Sequence, residues 1–235
     1  MIQALKKLIN RIFTNPRKSG LNDVARILDS EFGSSRGTPI DRALIETFLE
    51  SAIPRLSEHS TVLEFSELFF ADKYCPTSNK RIFNFKPGNQ VVVTDQSSVS
   101  GDLLIGPSRD FEKVDLIIAT QLLAFTSNPF KSATSLLEML KTEGIIIGTE
   151  PFCSPVSKYD DDRWGDYFRF TEKGLKSIYS SIEEKDLDIE IFPLGNWTTT
   201  YGLFKGFCTE DNVEYDVKSD PRTATNIGYI VRLKK

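Results

Sequence analysis

Four short runs of β-branched and aliphatic residues, separated by segments with helical spacing, most constrain what this 235-residue chain can fold into. The runs cover residues 61–65, 91–94, 114–119 and 145–149. Apolar runs of this length are typical of strands that are buried on both faces of a parallel sheet. A helical pattern at residues 129–141 supplies one of the crossovers that such a sheet needs. The sequence therefore predicts an α/β fold with a doubly wound, mostly parallel sheet.

The N-terminal segment has a basic helical pattern. Residues 2–13 place apolar side chains on one helical face and basic ones opposite, and a further helix is predicted at residues 21–32. The first twenty residues hold five basic and no acidic side chains. A basic amphipathic helix can pack on the body of the domain, bind a protein partner or lie on a membrane surface. The sequence leaves these three contacts open for residues 2–13.

A clear helix start follows this segment. Thr38 and Pro39 offer a capping residue and a first helical residue, with Asp41 in the positively polarised first turn. We therefore expect residues 1–55 to form a helical extension that packs on a domain of residues 56–235.

Composition excludes several classes of function. The formal net charge of −4 argues against a nucleic-acid binder. The three cysteines form no CxxC pair and there is one histidine, so we expect reduced thiols, a cytoplasmic location and no zinc site. No apolar run approaches the ~20 residues of a membrane helix. The acidic run at residues 160–162 favours a solvated loop over a cation site, so no metal is expected.

Polar side chains follow the predicted strands, where ligands of doubly wound sheets bind. Glu64 lies at the end of the first run, Asp95 follows the second, and Thr120 and Gln121 follow the third. A carboxylate that faces a nucleoside accepts hydrogen bonds from both ribose hydroxyls, which suits Asp95. Asp102 suits the exocyclic amine of an adenine, directly or through water. Both aspartates could instead be turn residues.

The order of these motifs resembles that of class I S-adenosylmethionine-dependent methyltransferases. The matching segments are residues 62–64, Asp95, residues 101–103, residues 115–123 and residues 136–144. Residues 37–42 and 164–171 resemble more specifically a bacterial subgroup that is associated with cell-surface glycan biosynthesis, and residues 164–171 are the most distinctive part. The resemblance covers about residues 35–235.

The resemblance implies a seven-stranded Rossmann-like fold with S-adenosylmethionine as cofactor. It implies a sugar or a cell-surface glycan precursor as the methyl acceptor. The residues that it predicts to bind the cofactor are Glu64, Phe65, Ser66, Asp95, Gly101, Asp102, Leu103, Thr120 and Gln121.

Methyl transfer from a sulfonium is an in-line displacement in which the cofactor carries the reactivity. The protein positions the acceptor and, for a hydroxyl acceptor, removes its proton. The candidates for this work are polar residues that follow the later strands, namely Gln121, Asp166, Tyr167 and Arg169. Arg169 could form a bidentate pair with a substrate carboxylate or phosphate, or an internal ion pair with Asp166.

The chain departs from the family pattern at two places. The turn after Glu64 has no glycine, and Ser66 occupies the position of the subgroup's remaining glycine, where a serine fits if φ is negative. Ala124 and Phe125 replace a Glu-His pair. These departures motivate an alternative function, a non-catalytic methyltransferase-like module that serves as a partner or scaffold in glycan assembly. A nicotinamide dehydrogenase is disfavoured, because no GxGxxG motif follows any strand.

Overall fold

The computed structural model describes residues 31–56, 59–183, 185–211 and 218–234. The basic amphipathic helix predicted at residues 2–13 lies outside these ranges, as does almost all of the helix predicted at residues 21–32.

Within the described residues, eight strands form one sheet. They are β1 Thr61–Phe65, β2 Asn79–Phe85, β3 Val92–Asp95, β4 Ser98–Gly101, β5 Val114–Thr120, β6 Leu140–Pro151, β7 Leu187–Leu194 and β8 Asn226–Leu233. Their order across the sheet is β3-β4-β2-β1-β5-β6-β8-β7, and β3 and β8 run against the other six. The strand order reverses between β1 and β5, so the carboxyl ends of these two neighbours open a crevice.

The helices connect the strands and cover both faces of the sheet. They are α1 Ile40–Ala52, α2 Phe69–Tyr74, α3 Pro129–Glu138, α4 Lys158–Trp164, α5 Glu172–Ser180 and α6 Trp197–Lys205. Three-residue 3-10 helices lie at Ile53–Arg55, Leu123–Phe125 and Thr209–Asp211. Helices α3 and α5 pack into the apolar cluster on one face, and α1 packs into the cluster on the other face.

The central residues of strand β5, 116–119, are apolar without interruption, and their packing shows why. Ile117 and Ala119 point into the cluster that α3 and α5 cover, whereas Leu116 and Ile118 point into the cluster that α1 covers. Because successive side chains point to opposite faces, a strand that is covered on both sides needs apolar residues at every position. The doubly wound prediction is confirmed.

The strand predicted at residues 91–94 is not the buried parallel strand that we expected. Val92–Asp95 is a short edge strand that pairs antiparallel with β4. The strand that pairs in parallel with β1 on the side away from β5 is β2, which begins with three polar residues, 79–81, and has Arg81 buried within it. The guanidinium of Arg81 donates to the carbonyl oxygen of Glu112 at 3.1 Å and pairs with the Glu112 carboxylate. In the described part of the chain the sheet has eight strands, whereas the family resemblance implied seven.

Helix α1 confirms the helix predicted after Pro39, although its start differs in one residue. Pro39 is the N-cap and Ile40 the first helical residue, with no side-chain cap. Thr38 instead donates its backbone N–H to the Glu210 carboxylate at 2.7 Å. Phe48 packs with the sheet in one apolar cluster. The division of the chain at residue 55 stays a prediction.

Candidate active site

A cleft of about 760 Å³ opens at the carboxyl ends of the central strands. Its floor comes from the residues that follow β1 and β5, and one wall comes from the segment that contains α4. Ten of the twelve site residues predicted from the sequence line this cleft. The predicted residues that line the cleft are Glu64, Phe65, Ser66, Asp102, Leu103, Thr120, Gln121, Asp166, Tyr167 and Arg169.

The glycine-free turn after β1 has a left-handed residue at its centre. Ser66 has a φ of +67°, and the N–H of Glu67 donates to the carbonyl oxygen of Phe65 at 2.8 Å. This bond from residue i+2 to residue i closes a γ-turn around Ser66. The condition under which a serine fits freely, a negative φ, is therefore not met. The backbone keeps the left-handed conformation that favours glycine, and a side chain there costs about 1–3 kcal/mol.

Glu64, the last buried residue of β1, is engaged by the backbone of the next helix. Its carboxylate accepts hydrogen bonds from the N–H groups of Phe70 at 3.0 Å and Ala71 at 2.7 Å. Burial raises the pKa of Glu64 to about 7, although these two hydrogen bonds oppose the rise. The carboxylate therefore fixes the start of α2 beside the turn. A direct contact between Glu64 and a cofactor remains a prediction.

Gln121 is the second left-handed residue at the strand ends, with a φ of +51°. Its backbone N–H donates to the carbonyl oxygen of Thr149 at 2.6 Å. Its side-chain amide donates to Asn226 Oδ1 and to the Thr149 hydroxyl, both at 3.4 Å. Strained residues of this kind cluster at functional sites, and Gln121 lies where β5 opens into the cleft.

Asp102 and Leu103 form a polar edge on the opposite wall. The Asp102 carboxylate accepts from the N–H groups of Gly88 at 2.9 Å and Leu104 at 2.8 Å. Each carboxylate oxygen can accept a second hydrogen bond, so acceptor capacity remains. The carbonyl oxygen of Leu103 accepts from the Ser135 hydroxyl at 2.6 Å, whereas its N–H has no hydrogen-bond partner in the described part of the chain. The Asp102 carboxylate, as an acceptor, and the Leu103 N–H, as a donor, thus belong to adjacent residues on this wall.

Gly101 precedes this edge but lies behind the cleft wall. A Cβ on Gly101 would come within 2.5 Å of the Cα atom of Val91, so no larger residue fits between the two backbones. Its predicted role as a cofactor ligand is not supported by its position, and close packing accounts for the glycine.

Asp95 does not reach the cleft, and its predicted place at the end of a buried parallel strand is wrong. It lies in the turn between β3 and β4, where its Oδ1 accepts from the N–H of Ser97 at 2.8 Å and from the Ser97 hydroxyl at 2.9 Å. These hydrogen bonds lower the pKa of Asp95. The end of β2 at the cleft is instead Phe85, whose side chain is 51% exposed.

Arg169 and Asp166 are paired with each other. The guanidinium contacts both oxygens of Asp166, at 2.8 Å for Nη2 to Oδ2, and it donates to the carbonyl oxygens of Ser154 at 3.1 Å and Pro155 at 2.8 Å. Of the two readings of Arg169, the structure shows the internal ion pair. The pair closes the loop that carries α4, while the ring of Tyr167 stays half exposed on the cleft rim.

Glu150 is completely buried beneath the cleft. Its carboxylate accepts from the N–H groups of Leu123 and Ala124, both at 2.9 Å, and burial raises its pKa to about 8. The carbonyl oxygen of Ala124 in turn accepts from the N–H of Tyr167 at 2.9 Å. Glu150 thereby positions the 3-10 helix after β5 and, through it, the rim of the cleft.

The sequence analysis did not predict Asp41 and Arg42 as site residues. Asp41, treated above as a helix-start residue, lines the cleft from the first turn of α1, and Arg42 lies next to it. Burial raises the pKa of Asp41. The similarity of residues 37–42 to the glycan-associated subgroup was the signal that pointed to this segment.

The described ranges contain no group of three or more histidine, cysteine or acidic side chains that could hold a metal ion. In the acidic run, Asp161 accepts the N–H of Asp166 at 3.1 Å. Within the same ranges, no helix is long and apolar enough to cross a membrane. All three cysteines are free thiols.

Solved structures with the same architecture include methyltransferases. The N-methyltransferase NodS from Bradyrhizobium japonicum WM9, in complex with S-adenosyl-L-homocysteine, is 13% identical, with 91% of this chain and 97% of that chain covered and a TM-score of 0.50. The plantazolicin methyltransferase BpumL, in complex with a triazolic desmethylPZN analog and S-adenosyl-L-homocysteine, is 15% identical, with coverage of 97% and 95% and a TM-score of 0.52. The fold is that of S-adenosylmethionine-dependent methyltransferases.

The methyltransferase fold also serves other chemistry. The [4+2]-cyclase SpnF is 16% identical to this chain, with coverage of 91% and 92% and a TM-score of 0.50. Neither a family model nor a curated protein sequence matches the chain. The reaction therefore has to be argued from the cleft and its residues.

Proposed function

We propose that this protein is an S-adenosylmethionine-dependent methyltransferase. One observation carries the proposal. Ser66, with its positive φ, lines the same cleft as Asp102 and Leu103, and this cleft lies where the strand order reverses. The γ-turn at Ser66 supports the proposal, because Ser66 has the positive φ that glycine adopts most freely although glycine is absent. A cleft of about 760 Å³ lies within the ordinary size range of small-molecule sites.

The residues present fit the cofactor at its adenine end. Adenine offers an acceptor ring nitrogen beside a donor amine, which matches the free N–H of Leu103 beside the Asp102 carboxylate in the described structure. Phe65 and Phe85 supply apolar surface on the same cleft. With Asp95 outside the cleft, the carboxylate available for ribose hydroxyls is that of Glu67, which lines the cleft and is not engaged by backbone N–H groups in the described structure.

The bound cofactor would supply a methyl group on a positively charged sulfur. The work left to this chain is to exclude water, hold the acceptor and manage its proton. Gln121 lies at the end of β5 with its backbone held by Thr149, and Tyr167 lies on the rim that Glu150 positions through Ala124. These residues are placed to orient an acceptor.

A sugar or a glycan precursor remains our proposal for the acceptor. Aromatic rings stack on the apolar faces of sugars, and the rings of Tyr159 and Tyr167 are 56% and 52% exposed beside the cleft. The resemblance of residues 164–171 to the glycan-associated subgroup supports the same class. Free cysteines agree with a proposed cytoplasmic location.

A non-catalytic scaffold is the second candidate function. It is favoured by two features of the cleft, the side chain carried at the left-handed position of Ser66 and the absence of a carboxylate at the cleft end of β2 within the described residues. Under this function the basic residues 2–13 would contact a protein partner or a membrane surface.

Isothermal titration with S-adenosylmethionine and with S-adenosylhomocysteine separates the two. A methyltransferase binds both at micromolar strength. A well-folded sample that binds neither contradicts the enzyme and leaves the scaffold, which truncation of residues 1–18 then tests through recovery of the complex or of the membrane fraction.

A further inference from the structure

Asp41 is the cleft residue to which the proposed function assigns no task. Its side chain lines the main cleft and also an adjoining recess of about 360 Å³. Gln121 lines the same two cavities, and one asparagine connects the two residues. Asn226 accepts from the Gln121 amide and donates to the backbone carbonyl oxygen of Asp41, both at 3.4 Å. Asp41 therefore lies next to the end of β5, at the junction of cleft and recess.

The Asp41 carboxylate has no ion-pair partner within the described part of the chain. Its Oδ1 accepts the backbone N–H of Arg42 at 2.9 Å, within its own helical turn. No side chain among the described residues donates to it. An acidic group in such a position keeps acceptor capacity for a bound molecule.

The neighbouring charges leave this end of the cleft acidic. The charge of Arg42 opposes the rise in the pKa of Asp41, but its guanidinium is engaged elsewhere, because it bonds to Glu46 at 3.3 Å and lies over the ring of Phe69 at 4.4 Å. Arg169, the other basic residue on the described cleft walls, is held by Asp166. The carboxylate of Asp160 lines the same cleft from α4 and is near enough to raise the pKa of Asp41.

We propose that the methyl acceptor is an amine, and that Asp41 binds its ammonium form and takes its proton. The proposal rests on the proposed methyltransferase function. Two carboxylates, Asp41 and Asp160, attract a cation and repel an anionic acceptor. The ring of Trp164 lines the same wall and would stabilise a cation over its face, whereas the Arg163 guanidinium already lies over the Tyr159 ring at 3.4 Å. An amino group on a sugar satisfies this proposal and the sugar acceptor together.

The proton balance requires a base at this position. An ammonium group has no free electron pair, so it must lose a proton before it can attack. Asp41 receives that proton, which burial favours by raising its pKa; the charge of Asp160 adds to the rise, and the charge and backbone N–H of Arg42 oppose it. The nitrogen lone pair then forms the bond to the methyl carbon, while the carbon–sulfur bond breaks and its electron pair stays on sulfur. The products are a methylated ammonium and a neutral thioether.

Fragment binding tests the inference without knowledge of the natural acceptor. The protein is first saturated with S-adenosylhomocysteine, and benzylamine and benzyl alcohol are then titrated by ligand-observed NMR. These fragments share a ring and differ in the charged amine. The variants are Asp41→Asn and, as the matched control, Asp95→Asn, because Asp95 is an exposed carboxylate outside the cleft.

We expect the wild type to bind benzylamine at least tenfold more tightly than benzyl alcohol. In Asp41→Asn the preference falls to less than threefold, whereas Asp95→Asn keeps it. Affinity for benzyl alcohol stays equal in all three proteins, which shows that the cleft is intact. Three results, each obtained while S-adenosylhomocysteine binds, overturn the amine inference and leave the methyltransferase proposal standing. They are the absence of an amine preference in the wild type, an amine preference that persists in Asp41→Asn, and no binding of either fragment at about 10 mM. Failure of S-adenosylhomocysteine itself to bind is the distinct result that removes the proposed function.

Discussion

Glu64 and Glu150 hold the cleft in the same way from two different strands. Each carboxylate accepts hydrogen bonds from two consecutive backbone N–H groups, those at the start of α2 for Glu64 and those of the 3-10 helix Leu123–Phe125 for Glu150. Each also has a raised pKa because it is buried. The cleft thus depends on two buried acids that fix the segments following β1 and β5.

The first prediction concerns the pH dependence that Glu150 contributes. Its pKa is raised from 4.5 to about 8, so the folded state holds this proton more tightly than the unfolded state does. The stabilisation is complete below pH 4.5 and is lost as the pH rises through 8, at up to about 1.4 kcal/mol per pH unit. Urea unfolding of the wild type and of Glu150→Gln at pH 5, 6, 7 and 8 measures it.

Glu150→Gln removes this titration but leaves one backbone N–H without an acceptor, which costs about 1–3 kcal/mol. We expect the variant to be less stable than the wild type at pH 5, with a difference that narrows toward pH 8. A difference that stays constant from pH 5 to pH 8 would contradict the raised pKa.

The second prediction concerns the left-handed residue of the β1 turn. Ser66→Gly removes the side chain from a φ of +67° and should raise the free energy of unfolding by about 0.5–1 kcal/mol. Ser66→Ala is the control, since it keeps the Cβ and should give no gain. Equal stabilities of the glycine and alanine variants would mean that the turn relaxes and stores no strain.

The third prediction concerns the Arg169–Asp166 pair. The Asp166 side chain is only 1% exposed, so Arg169→Ala leaves a buried charge and should cost about 3–5 kcal/mol. The double variant with Asp166→Ala should cost clearly less than the sum of the two single variants. The exposed pair Arg222–Asp220 provides the control, and its cycle should show no measurable coupling. Additive effects at Arg169 and Asp166 would show that the pair does not close the loop.

The sequence was sufficient for the features that depend on local pattern. The apolar runs of β1, β5 and β6 identify strands that are covered on both faces, and the reversal of strand order follows from their doubly wound arrangement. The segments after β1 and β5 were therefore located correctly as parts of the cleft.

The features that depend on distant partners could not be read from the sequence. Strand β2 begins with three polar residues, 79–81, and its buried Arg81 is compensated by Glu112, which lies 31 residues further along the chain. The sequence analysis therefore predicted the more apolar β3, and not β2, as a buried parallel strand. Asp95, which ends β3, was in consequence assigned to the cleft. Asp41 was missed for a similar reason, because the docking of α1 on the sheet brings it to the end of β5.

The most direct test of the account compares Asp102 with Asp95. Asp102 lines the cleft beside the N–H of Leu103, whereas Asp95 lies outside the cleft in the β3–β4 turn. Isothermal titration with S-adenosylhomocysteine should show micromolar binding to the wild type, at least tenfold weaker binding to Asp102→Asn, and unchanged binding to Asp95→Asn. Weakening by Asp95→Asn with no effect of Asp102→Asn, or no binding to the folded wild type, would contradict it.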